Sequence, residues 1–109
     1  MSHLKPNELA AVRELKAGLD RDFGLVRLIL YGSKARGDSG PGSDIDLIVV
    51  LDGRPDWQTK RAIYHRCFEV GLKHDVVLQP VVFAEADFTS ARYSVTPLVR
   101  NVAAEGVAI

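Results

Sequence analysis

Two aspartates one residue apart, Asp44 and Asp46, open an apolar run, Leu47-Ile48-Val49-Val50. Such a run reads as a strand, and side chains alternate across a strand. Asp44 and Asp46 therefore share one face, while Ile45 and Leu47 share the other. Carboxylates held this close repel, and one takes up a proton unless a cation stands between them. An all-oxygen pair favours a hard ion such as Mg2+, which keeps its other positions for water and phosphate oxygens. Alone, an Asp-x-Asp is more often a pair of solvated acids at a strand end.

The loop upstream changes that balance. Gly32 and Ser33 close an apolar segment, Leu25 to Tyr31. Glycine lets the backbone come near a ligand, and a serine hydroxyl donates to an anion. Successive backbone N–H groups in such a turn make an anion-binding nest, and Lys34 and Arg36 add positive charge beside it. Two other phosphate loops are excluded. Gly32 to Ser39 has the spacing of a Walker A loop, but Asp38 stands where its lysine should be, and Gly40-Pro41-Gly42 lacks the third glycine of a dinucleotide fingerprint.

Gly32-Ser33, ten residues, then Asp44-Ile45-Asp46 resembles the G-S-x10-D-x-D signature of the DNA polymerase beta-like nucleotidyltransferase superfamily. The surrounding GSKARGDSGPGSDIDLIVV resembles its minimal stand-alone branch, the MNT proteins, and the resemblance extends over essentially the whole chain. It implies nucleotidyl transfer from ATP with two Mg2+ ions, Mn2+ being able to substitute. One ion would orient the triphosphate, and the other would activate an acceptor hydroxyl. Asp44 and Asp46 would hold the ions. Gly32, Ser33, Lys34, Arg36 and Ser43 would face the nucleotide, Ser43 matching the family's serine before the first acid.

The family also needs a third acid on a neighbouring strand. The acids after Leu51 are Asp52, Asp56, Glu69, Asp75, Glu85 and Asp87, with Glu105 near the end. From Asp52 to Asp87, only Asp75 opens an expected strand, in HDVVLQPVVF. Asp75 is thus the expected third catalytic and metal-binding carboxylate, completing the acceptor-side ion or taking the acceptor's proton. Small MNT proteins resemble antitoxins paired with HEPN-domain ribonuclease toxins, which implies AMP transfer onto a tyrosine of such a toxin. Two alternatives remain: a non-catalytic module that masks a partner by contact, or transfer to a small molecule such as an aminoglycoside.

These residues need a scaffold. Pro6-Asn7-Glu8 starts a helix, with Leu9, Val12, Leu15, Leu19 and Phe23 at helical spacing and Gly24 as its stop. Strands follow at Leu25 to Tyr31 and Ile45 to Leu51. Between them lies a loop from Gly32 to Ser43, with a helical turn possible around Lys34 to Arg36. Ile45 to Leu51 is apolar on both faces and so central in its sheet. Trp57, Ile63, Tyr64, Cys67, Phe68 and Leu72 mark a helix closed around Gly71, with Trp57 stapling it to the sheet. Asp75 to Phe83 is a third strand, which Pro80 places at an edge or breaks. A helical tail from Ala84 to Ile109 starts again at Thr96-Pro97. The fold class is α/β (α+β): one small mixed sheet of at least three strands covered by helices, with the polymerase beta-like nucleotidyltransferase fold implied by the resemblance.

The 109 residues suffice for one domain, spanning 1–109, and leave no room for a second that would wall the nucleotide. A partner or second copy is therefore expected. Fourteen basic and fourteen acidic residues cancel, so no global field draws the chain to nucleic acid or an anionic membrane. No apolar run is long enough to span a membrane, and no signal-peptide pattern stands at the start. One cysteine, Cys67, precludes an internal disulfide. A cytoplasmic protein is expected. His65 and His74 read as surface residues, and no His/Cys spacing supports zinc.

Overall fold

The computed structural model describes residues 4–32, 44–89 and 106–109. Its elements are helix α1 (Pro6–Phe23), strands β1 (Leu25–Tyr31) and β2 (Ile45–Leu51), helix α2 (Trp57–His74), strand β3 (Leu78–Ala84), a short helix α3 (Glu85–Thr89) and strand β4 (Val107–Ala108). The sheet order is β3-β2-β1-β4. β1 runs antiparallel to both β2 and β4, while β2 and β3 are parallel through the α2 crossover, so the sheet is mixed.

α1 begins where the sequence places it. Pro6 occupies its first turn, and the Lys5 N–H donates to Glu8 Oε1 at 2.7 Å, satisfying a donor the helix start would otherwise leave open. Its apolar stripe, Ala11, Val12, Leu15 and Leu19, is fully buried. It packs with Ile63, Cys67 and Val70 of α2 against Leu28, Leu30, Ile45, Leu47, Val49 and Leu51, making a single apolar layer. β2 is the central strand, with every residue but Asp46 buried. The helices are also tied by charge: Arg66 reaches Asp22 at 2.9 Å, and Lys73 and His74 both reach Glu14, at 2.9 and 3.1 Å. Among the described residues no helix is long and apolar enough to cross a membrane.

Four expectations change. α2 does not stop at Gly71 but continues to His74, and Asp75 caps it in the left-handed conformation (φ 58°) that aspartate tolerates better than most residues. Gly71 is required for another reason: a Cβ there would lie 2.6 Å from the Val76 carbonyl oxygen, where the chain folds back over the helix. β3 consequently starts at Leu78 instead of Asp75, although Pro80 does sit on an edge strand. The apolar residues of α2 divide into two stripes. Ile63, Cys67 and Val70 go inward, while Trp57, Tyr64, Phe68 and Leu72 are exposed, so Trp57 is no staple. Finally, the end of the chain supplies a strand, with Ile109 N–H donating to the Leu28 carbonyl at 2.9 Å. The expected helical turn at Lys34 to Arg36 and the Thr96-Pro97 helix start lie outside the described residues.

Candidate active site

The sheet has a covered face and an open one, and β2 alternates between them. Ile45, Leu47 and Val49 point into the helical layer, whereas Ile48 and Val50 belong to a smaller cluster on the opposite side. Asp44 and Asp46 have the parity of Ile48 and Val50, so both stand on the open face. That face changes character along its length. At one end Phe83 and Phe88, with ring centroids 5.4 Å apart, cover Ile29 and Val50. The Arg54–Asp87 pair at 2.9 Å holds α3 there. At the other end lie the carboxylates.

Antiparallel register sets Tyr31 opposite Asp46. Burial, and secondly the charge of Asp46, push the Tyr31 phenol above its ordinary value, so it stays protonated at neutral pH. Gly32 follows with φ 76°, a left-handed conformation, and a Cβ on it would lie 2.7 Å from Asp46 Oδ2. The glycine that the sequence marks for close approach thus comes against the second carboxylate itself. The first strand ends in a turn fitted to Asp46.

On the other side, parallel register sets Gln79 opposite Asp46, and Gln79 Nε2 donates to Asp44 Oδ2 at 2.9 Å. Asp44 is exposed and Asp46 partly buried. The described site therefore consists of two carboxylates at the start of the central strand, a phenol from β1 with the glycine turn that follows it, and an amide from β3.

Asp75 does not join them. As the cap of α2 it lines a depression with Lys5, Asn7, Glu8 and Gly71, at the junction of the two helices. Among the described residues no three His, Cys, Asp or Glu side chains gather where a metal could be held. The expectation that Asp75 opens β3 fails because helix α2 runs beyond Gly71 and consumes the residues that would have begun the strand. Ser33, Lys34, Arg36 and Ser43 lie outside the described residues. Tyr31 and Gln79 were missed in the sequence. Tyr31 was legible as the residue before Gly32, but Gln79 is found only from the register of β3.

The donor set fits a hard cation. Two carboxylates of one strand face can bind a single Mg2+ and leave the rest of its sphere to phosphate and water. Asp44 and Asp46 are the residues that would hold it, and when bound it would neutralise charge on a nucleotide's phosphates.

Comparison with known proteins agrees with this geometry. Residues 12–106 match the nucleotidyltransferase domain family. "Putative protein adenylyltransferase MJ0141" of Methanocaldococcus jannaschii is 33% identical over 66 residues, covering 61% of this chain and 67% of that protein. A toxin–antitoxin crystal structure with AMP-PNP superposes with a TM-score of 0.64 at 21% identity, covering 91% of this chain and 69% of the other. A chain from the complex of a tri-AMPylated Shewanella oneidensis HEPN toxin with MNT antitoxin gives 0.57 at 19% identity, covering 94% and 70%. The aspartate pair, the glycine turn beside it and strands β1 to β3 beneath it all lie within the matched span, and the chain belongs to the nucleotidyltransferase domain family.

Proposed function

We propose that residues 1–109 act as one minimal nucleotidyltransferase domain that moves AMP from ATP onto a hydroxyl of a partner protein, in the presence of Mg2+. The carrying observation is the pair Asp44 and Asp46 on the open face of a buried central strand, with the Gly32 turn closed onto Asp46. The central strand fixes Asp46 and the Gln79 amide holds Asp44 just before it, so nucleotide binding need not order them first. Ser33, Lys34, Arg36 and Ser43 are proposed to supply the phosphate contacts, as the family resemblance implies. In-line attack by the acceptor oxygen on the α-phosphorus would form one P–O bond and break the bond to the pyrophosphate, which leaves. The acceptor's proton goes to solvent or a nearby base.

The acceptor is proposed to be a tyrosine of a HEPN-domain toxin, and the modification to silence it, which makes this chain an antitoxin. Two things support that reading: the adenylyltransferase name of the relative, and the AMPylated toxin in the structural neighbour. The reaction is proposed to take place in the cytoplasm, where ATP is available. The chain is incubated with Mg2+, α-labelled ATP and the co-expressed toxin. Label should appear on a toxin tyrosine and be lost with Asp46→Asn. Tight binding without label would favour a masking module, and label confined to small molecules would favour the aminoglycoside-type reading.

A further inference from the structure

We infer that this site holds one divalent cation, not two, and that Gln79 is the positioning residue that sets the number. The inference rests on reading Asp44 and Asp46 as a cation site, and it goes beyond that reading in counting the ions. Two strands flank β2, and their register limits what can reach the pair. On β1 the residue opposite Asp46 is Tyr31, which carries no carboxylate. On β3 the opposite residue is Gln79, and Val81, opposite Ile48, is the next residue on the same face. Neither flanking strand offers a carboxylate there. The nearest acid before β3, Asp75, turns instead into the junction of α1 and α2.

Gln79 also engages Asp44 from the β3 side, the side on which a third carboxylate would have to stand. Its Nε2–H points at Asp44 Oδ2 from 2.9 Å, so a partial positive charge already stands on the β3 side of that oxygen. A cation placed there would meet the N–H, or would require the amide to turn and offer a neutral carbonyl, a weak ligand for Mg2+ beside a carboxylate. The bond meanwhile fixes Asp44, the more exposed member of the pair. A group that orients a ligand carboxylate supports metal affinity without touching the metal.

The test counts ions. Mn2+ is titrated into the whole chain with a non-hydrolysable ATP analogue, and bound ions per chain are read by electron paramagnetic resonance, corrected for analogue alone. The expected count is one. Gln79→Glu should raise it to two by supplying the missing carboxylate. Gln79→Ala should leave it at one, with affinity about 10-fold weaker because Asp44 loses its hold. Two ions on the unaltered chain, or no second ion with Gln79→Glu, would overturn the inference while sparing the function. No ion at all would remove both. Gln79 is exposed on an edge strand, so neither substitution disturbs the core.

Discussion

The two faces of the sheet are made by the same strands, yet they obey different rules one residue apart. Leu47 and Asp46 are neighbours in β2. Leu47 is fully buried under α1 and α2, while Asp46 faces Tyr31, Gly32 and Gln79 on the open side. The covered face is continuous apolar packing from Ile45 to Leu51. The open face is apolar only where α3 and Phe88 cover it, and becomes polar toward the start of β2. Stability and chemistry are thus carried on opposite sides of one strand, each able to vary with little effect on the other. This separation answers why a chain would put two negative charges at the edge of its core. The core lies on one side of them only.

The sharpest way to break the comparison is to change the two neighbours separately. Asp46→Asn should lower nucleotidyl transfer by about 10³-fold, the scale of losing a main electrostatic group. The thermal midpoint should stay within a few degrees or rise, since a like-charge pair is relieved. Leu47→Ala should cost about 2–5 kcal/mol of stability in urea unfolding, as other buried leucine truncations do. If Asp46→Asn unfolded the chain, the separation of faces would be wrong. Gly32→Ala comes next in size. It forces alanine into a left-handed backbone, at about 1–2 kcal/mol, and drives a methyl group at Asp46 Oδ2. Transfer should fall by more than the change in stability accounts for.

The smallest effect belongs to the covered side. Hydrogen bonds from Arg21 and then Arg66 hold the Asp22 carboxyl down at about 2, from its usual 3.8. The unfolded chain therefore takes up this proton more readily than the folded one. The contribution is full above about pH 4 and is lost as pH falls through about 2. Asp22→Asn should flatten that part of an acid unfolding curve and leave the activity profile at neutral pH unchanged.

How much of this was legible in the sequence follows the range of the interactions. The Asp-x-Asp, the glycine turn, α1 and the central strand are local patterns, and all of these that the structure describes stand where the residues put them. The third element of the site was not legible. Where α2 ends depends on Lys73 and His74 reaching Glu14, sixty or so positions away, and not on Gly71. That extra turn moves Asp75 off β3 and brings Gln79 beside the pair. The two apolar stripes of α2 show the same limit. Periodicity finds both, but only the presence of α1 decides that Ile63, Cys67 and Val70 go inward and Tyr64, Phe68 and Leu72 do not. Strand β4 needs the unpaired edge of β1, which no local pattern at the chain's end could reveal.

Cys67, the chain's single cysteine, lies in the layer between α2 and the sheet, with its thiol pushed up to about 12 by burial. It is kept protonated and out of reach, so an alkylating reagent can mark it only in the moments when α2 lifts from the strands. The rate of marking then serves as an internal clock for opening of the covered face. Because that clock sits on the side away from the carboxylates, nucleotide or partner bound at the open face should slow it only by holding the whole fold shut.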